Sequence, residues 1–185
     1  MHFLKYYDKN IVQYDLINKF TYKNIKTLPK LKSIIVQFCF RRYELKNLLI
    51  SLAALQFITN KKGTLIKSKT ANISLKIRKG YPIGCKVILR HIDLNDFLEK
   101  LINNFTISNE TLNLTKMKTN SFSFKITNIL NFSELEKNYR FFNKLNNILN
   151  LCVNTTTSDP NQLIFLLKSY RIKILKCKCN STGRV

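Results

Sequence analysis

Few residues of this chain could do chemistry, and most of their spacings fail. Gly80-Tyr81-Pro82-Ile83-Gly84-Cys85-Lys86 puts two of only four glycines around a basic turn, as a phosphate-cradling loop would. It lacks the remaining P-loop spacing and the Ser or Thr that would follow the lysine to hold magnesium. Neither G-x-G-x-x-G nor H-E-x-x-H occurs. Asp93, Asp96 and Glu99 could line one side of a helix around magnesium, but a helix cap with solvated acids explains them more simply. Cys177-Lys178-Cys179 is an isolated C-x-C, and with His2 and His91 as the only histidines a zinc site lacks partners. His91 follows a basic strand and reads as a contact to phosphate or solvent rather than a catalytic base. No catalytic residue, no metal and no cofactor is expected.

What remains is charge. Lys and Arg number 32 against 10 Asp and Glu, a formal net charge of +22 with a pI near 10.0. A surface so basic repels itself, and a polyanion relieves the repulsion. Nucleic acid is the first candidate, because neutralising its phosphates releases counterions. No acid stands between Glu44 and Asp93, whereas Lys46, Lys61, Lys62, Lys67, Lys69, Lys76, Arg78, Lys79, Lys86 and Arg90 do. A second acid-free run after Asp159 holds Lys168, Arg171, Lys173, Lys176, Lys178 and Arg184. Much of the basic surface should belong to the middle of the chain.

The 185 residues, 45% of them hydrophobic, suit one domain with a real core. We expect a single domain over 1–175 and a basic, mobile tail over 176–185. Five cysteines with no signal peptide before them do not read as a disulfide framework. Cys39, Cys85 and Cys152 fall in apolar strand-like runs and are expected as small core residues. No apolar run reaches the roughly 18 residues of a membrane span. The start carries no arginine-rich, acid-poor presequence, since Asp8 and Asp15 come early. Abundant Lys, Asn, Ile, Phe and Tyr without Trp points to an AT-rich genome.

The elements that must position the basic residues follow from periodicity. Leu4, Tyr7, Ile11, Tyr14, Ile17 and Phe20 recur at three or four residues and predict an amphipathic helix. Ile34, Val36, Phe38 and Phe40 alternate with Ile35, Gln37 and Cys39, a well-buried strand. A second helix is expected over 43–58, with Gly63 available for a left-handed cap. A short strand over 64–68 and a weakly alternating 71–77 lead to the glycine pair. From 83 to 90 the alternation is clean: Ile83, Cys85, Val87 and Leu89 on one face, Gly84, Lys86, Ile88 and Arg90 on the other. Such a strand suits a sheet with helices behind it and an anion in front. Asp93 is the expected N-cap of a helix whose buried stripe is Leu94, Phe97, Leu98, Leu101 and Ile102. The Asn- and Thr-rich 103–120 reads as a long loop. Phe122, Phe124 and Ile126 mark a strand, 135–145 is helical or irregular, and 149–155 alternates as the last strand. Asp159-Pro160 starts a final helix with stripe Leu163, Leu166, Leu167 and Tyr170. The order predicts an α+β fold, a single domain with a mainly antiparallel sheet and helices packed on one face.

One stretch is more specific. Gly80-Tyr81-Pro82-Ile83-Gly84-Cys85-Lys86-Val87-Ile88-Leu89-Arg90, followed by Asp96-Phe97-Leu98-Glu99-Lys100-Leu101-Ile102, resembles the central signature of the large-subunit ribosomal protein five family (universal L-five, bacterial type). Leu28-Pro29-Lys30-Leu31-Lys32-Ser33-Ile34, Asn131-Phe132-Ser133-Glu134-Leu135 and Leu151-Cys152-Val153-Asn154-Thr155-Thr156-Thr157 resemble its flanking segments. The likeness spans roughly residues 3–172 and is weak over 103–125.

The resemblance implies a structural protein of the central protuberance of the large ribosomal subunit, supporting translation. It implies binding to 5S rRNA and a nearby large-subunit rRNA helix, with Gln37, Lys67, Lys69, Lys86 and Arg90 on the rRNA side. It implies a basic loop over about 70–83 that reaches the elbow of the P-site tRNA, with Lys76, Arg78, Lys79, Gly80 and Tyr81 as contacts. Neighbouring ribosomal proteins, including one of the small-subunit head, are the implied protein partners. The family's glycine-rich turn after the first strand is replaced here by Phe38-Cys39-Phe40-Arg41-Arg42, and Asn60-Lys61-Lys62-Gly63 lacks the usual Gln and Pro. This drift, with the composition and the start, fits an organelle-encoded mitochondrial copy; a plastid one is the alternative. Two other readings stay open: an organellar RNA-processing or intron-associated enzyme using Asp93 and Asp96, and a polybasic membrane-surface protein.

Overall fold

The structure, a computed structural model, describes residues 3–22, 24–40, 44–108, 112–117, 120–143, 145, 147–157, 159–170 and 174–175. Its elements run α1 (Phe3–Tyr7), a π-helical turn (Asp8–Val12), α2 (Gln13–Lys19), β1 (Leu31–Cys39), α3 (Leu45–Thr59), β2 (Thr64–Lys67), β3 (Pro82–Leu89) and α4 (Ile92–Ser108). Then come β4 (Leu112–Met117), β5 (Ser121–Ile126), α5 (Ser133–Glu136), α6 (Tyr139–Phe142), β6 (Leu149–Thr155), α7 (Pro160–Ser169) and β7 (Ile174–Leu175). The seven strands form one sheet in the order β2-β3-β1-β6-β5-β4-β7, antiparallel except for β4 with β7. The α+β architecture is the one expected.

Period-two burial divides the sheet into two faces. Ile34, Val36 and Phe38 of β1, Cys85, Val87 and Leu89 of β3, Phe122, Phe124 and Ile126 of β5, and Leu149, Leu151 and Val153 of β6 are buried. They share one core with Leu55 and Ile58 of α3, Phe97 and Leu101 of α4, and Leu163 and Leu166 of α7. The helices thus cover one face, and the other face stays open.

Several local expectations need correction. The N-terminal helix buries Leu4, Val12 and Leu16, while Ile11, Tyr14 and Ile17 are exposed. The π-helical turn explains this. Its wider winding lets an extra residue pass before the chain returns to the same face, so Val12 rather than Ile11 lies under Leu4. The left-handed cap of α3 is Asn60, at φ 54, not Gly63. Asp93 lies within the first turn of α4, where its carboxylate meets Lys61 Nζ at 2.7 Å.

The expected loop over 103–120 is instead the end of α4 followed by β4, which pairs with β5 as Leu114↔Phe124. Asn and Thr made that segment read as loop, but a ladder from the neighbouring strand overrides weak propensity. Nor is β6 the last strand, because β7 adds beside β4. Of the three cysteines expected in the core only Cys85 is buried; Cys39 is exposed and Cys152 half-buried, because both alternate onto the open face. Segment 135–145 resolves into the short helices α5 and α6, and Pro160 opens α7 at its first position. Residues 176–185, where a mobile tail was expected, lie outside the described residues, as do Cys177 and Cys179.

Candidate nucleic-acid interface

The open face is organised by cross-strand register. Thr64 of β2 pairs with Lys86 of β3, Lys86 with Gln37 of β1, Gln37 with Asn150 of β6, and Asn150 with Lys125 of β5. These five positions form one rung across the sheet, about 19 Å long at the usual strand spacing. Two carboxamides sit between two ammonium groups, all on the side away from the core. The neighbouring rung carries Ile88, Ile35, Cys152 and Ser123, and the next carries Ser33, Asn154 and Ser121. Asn154 Nδ2 donates to Ser33 Oγ at 3.1 Å.

Among the described residues, the open-face positions of β1, β3, β5 and β6 include no Asp or Glu and no aromatic side chain. The surface therefore attracts anions without competition from its own acids. It has no ring on which to stack a base, so it suits a nucleic-acid backbone and groove edges better than splayed bases.

The loop between β2 and β3 forms a second basic group. Ser68 N donates to Tyr81 O at 2.8 Å and Gly80 N donates to Ser68 O at 3.0 Å, closing the neck. Asn72 and Ile77 exchange both backbone bonds, at 2.8 and 3.0 Å. Between them the chain reverses through Ile73 to Lys76, with Lys76 at φ 53 and Ser74 Oγ donating to Asn72 Oδ1 at 2.6 Å. Ile77 is the buried anchor, whereas Ile73 at the tip is 94% exposed. The loop is thus a stitched finger. Gly80 adopts φ +88, a conformation that strains a side chain and suits glycine.

The predicted residues fall into three places. Gln37 and Lys86 are direct neighbours on the open face. Lys67 and Lys69 do not join them; with Lys76, Arg78, Lys79, Gly80 and Tyr81 they belong to the finger and its neck, and Lys67 sits beyond a register shift opposite Pro82. Arg90 stands four residues past Lys86 at the far end of β3, about 13 Å away at the usual rise. Sequence reasoning missed Asn150 and Lys125, which complete the rung. Alternation already placed each on the polar side of its strand, but only the pairing of β6 with β1 and β5 makes them neighbours of Gln37.

The groups of the enzyme reading are engaged elsewhere. Asp93 is ion-paired with Lys61, and no cluster of three or more metal-ligating side chains occurs among the described residues. Burial pushes the Cys85 thiol up, only partly offset by the Ser51 hydroxyl, so it packs as a neutral group. No helix among the described residues is long and apolar enough to cross a membrane.

No protein-family model matches the chain. The chain is similar to the large ribosomal subunit protein uL5m of Reclinomonas americana, 32% identical over 190 residues that cover 95% of this chain and 100% of the relative. It is also similar to the large ribosomal subunit protein uL5 of Clostridium botulinum strain Hall, 38% identical over 99 residues covering 52% of this chain and 54% of that protein.

Proposed function

The chain belongs to the uL5 family of large-subunit ribosomal proteins, a structural component of the ribosome and not an enzyme, and we propose that it serves in a mitochondrial ribosome, encoded by the organelle. In this reading the open sheet face holds rRNA, 5S rRNA and a large-subunit rRNA helix, within the central protuberance. The finger over 70–83 reaches the P-site tRNA elbow with Lys76, Arg78, Lys79, Gly80 and Tyr81, and a small-subunit head protein is touched nearby. The observation that carries the reading is the rung Lys86–Gln37–Asn150–Lys125, cationic and amide-lined on a face free of acids among its described positions. An A-form backbone asks for spaced cations and hydrogen-bonding groups, and the rung supplies both.

The experiment is a filter-binding series with 5S rRNA and with large-subunit rRNA fragments over a range of salt. Binding should weaken steeply as salt rises, and Lys86→Glu combined with Lys125→Glu should abolish it while the finger variant Arg78→Ala does not. If the doubly reversed protein binds rRNA as wild type does, the sheet face is not the rRNA surface.

A further inference from the structure

At the end of the sheet away from the finger lies a cleft of about 490 Å³, enough for a nucleotide-sized group. Its basic side chains come from separate segments: Lys5 from α1, Lys30 and Lys32 from the entry to β1, and His91 from the turn between β3 and α4. Asn95 and Thr156 add polar groups, while Leu94 and Tyr170 form a buried floor. We propose that this cleft binds a phosphate group, supplied by the backbone of an RNA strand; the RNA source rests on the function proposed above, whereas the site is separate from the sheet face and the finger.

Four observations support it. The acid in the lining, Asp8, is already engaged: its Oδ1 accepts from the Tyr170 hydroxyl at 2.7 Å and its Oδ2 from Gln13 Nε2 at 3.4 Å. The two ion pairs among the described residues, Lys61–Asp93 and Lys100–Glu134, leave Lys5, Lys30 and Lys32 out. Among the described lining residues three ammonium groups outnumber the single Asp8 carboxylate, so the concavity carries a net positive charge that attracts an anion.

The backbone is also shaped here. The register between β1 and β6 shifts between Leu31 and Ser33, so Lys32 is the extra residue of a bulge, a device that re-aims side chains. The rim is fixed by Lys30 N donating to Thr156 Oγ1 at 2.9 Å and Thr156 N donating to Lys30 O at 3.0 Å. His91 sits at φ 52, where a side chain costs about 1–2 kcal/mol and glycine costs nothing. The chain nevertheless puts an imidazole there, on the lip of the cleft. Finally, α4, 17 residues long, begins at this lip, and its unpaired first N–H groups add positive potential.

The test uses the full-length protein and two probes. Inorganic pyrophosphate, followed by amide and imidazole NMR signals, should give saturable shifts at His91 and Asn95. Lys30→Glu should weaken that binding by about tenfold or more, the size of a lost charged hydrogen bond. His91→Gly should weaken it too while leaving the melting temperature unchanged or higher, a pairing that damage to the fold does not produce. Lys19→Ala, where the ammonium packs on the Phe165 ring outside the cleft lining, should leave pyrophosphate binding as it was. Shifts that fail to saturate, or variants that bind like wild type, would overturn the site. The source is read by crosslinking from position 30 in intact ribosomes: a crosslink to rRNA supports the proposal. A crosslink to an acidic protein segment alone, or none with pyrophosphate binding intact, overturns RNA as the source. Because rRNA filter binding through Lys86 and Lys125 is measured separately, failure of the cleft and failure of the sheet face remain distinguishable.

Discussion

A Cβ placed on Gly84 would stand 2.3 Å from the carbonyl oxygen of Phe38, and 3.3 Å from the Cα of Cys39. The end of β1 crosses β3 so closely there that a methyl group must part the two strands, and these are the strands that carry Gln37 and Lys86. The need for glycine at 84 is steric. At Gly80 it is conformational, since φ is +88 and nothing lies within 4 Å of the added atom. The two substitutions should therefore differ. Gly84→Ala is expected to cost about 3 kcal/mol or more, the range of overpacking against backbone, and Gly80→Ala about 1–2 kcal/mol. Urea unfolding of both variants decides it; equal losses would contradict the close approach.

The open face makes a prediction about salt. Each lysine that neutralises a phosphate contributes its share to the slope of log K against log salt. Lys86→Ala and Lys125→Ala should each lower that slope by about 0.7–0.9 for rRNA and leave the folding free energy within about 0.5 kcal/mol. Lys19→Ala is the control, because Lys19 Nζ sits over the Phe165 ring at 4.3 Å on the helical side. A slope that is unchanged for Lys125→Ala would remove that residue from the interface.

These tests also mark what the sequence could disclose. Alternation along β3 already separated Cys85, Val87 and Leu89 from Lys86 and Arg90, because period two needs no knowledge of neighbours. The partnership of Lys86 with Gln37, Asn150 and Lys125 depends on which strands adjoin and in which register, which is non-local. The N-terminal helix was legible as a helix, but its buried face was misread, since a π-helical turn leaves no mark in apolar spacing. The segment around β4 failed for the opposite reason. Its Asn and Thr content is locally loop-like, and the ladder to β5 supplies what propensity lacks. The cleft lined by Lys5, Lys30, Lys32 and His91 joins three distant segments; in the sequence its one trace is His91 after a basic strand, placed for phosphate or solvent.

Glu134 should shape acid stability. Burial alone would raise its carboxyl, but the hydrogen bond and charge of Lys100, whose Nζ lies 2.8 Å from Oε1, and the Ser133 hydroxyl outweigh this and hold it below the ordinary 4.5. Lys100 Nζ also donates to Ile58 O at 3.3 Å, so the group ties α3, α4 and α5 together. With the folded value below the unfolded one, the contribution is complete above about pH 4.5 and fades as pH falls through the folded value. Glu134→Gln should therefore be less stable than wild type at neutral pH, with the gap closing below pH 4.5. Melting temperatures from pH 7 to 3 provide the check, and a gap independent of pH would mean that the carboxylate charge contributes nothing.

At the opposite end of the pH scale the informative group is Tyr170. Its hydroxyl donates to Asp8 Oδ1, and Tyr7 Oη donates to Ser169 O at 3.0 Å, so two tyrosines fasten the N-terminal helix to the end of α7. Burial first, and then the Asp8 charge and hydrogen bond, hold the Tyr170 phenol far above the ordinary 10.0. In the unfolded chain this proton leaves near pH 10, whereas in the folded chain it stays. The stability it contributes is therefore present below pH 10 and is lost as pH rises beyond it. Tyr170→Phe leaves the Asp8 carboxylate with the Gln13 bond alone and should cost about 1–3 kcal/mol at pH 7, the penalty for stranding a partly buried charged acceptor. Amide exchange across Phe3–Lys19 should speed up in the same variant, because the tie holds that segment. Above pH 10 the difference between wild type and Tyr170→Phe should shrink. A difference that stays constant from pH 7 to 11 would show that the hydroxyl contributes packing and no charge-dependent bond.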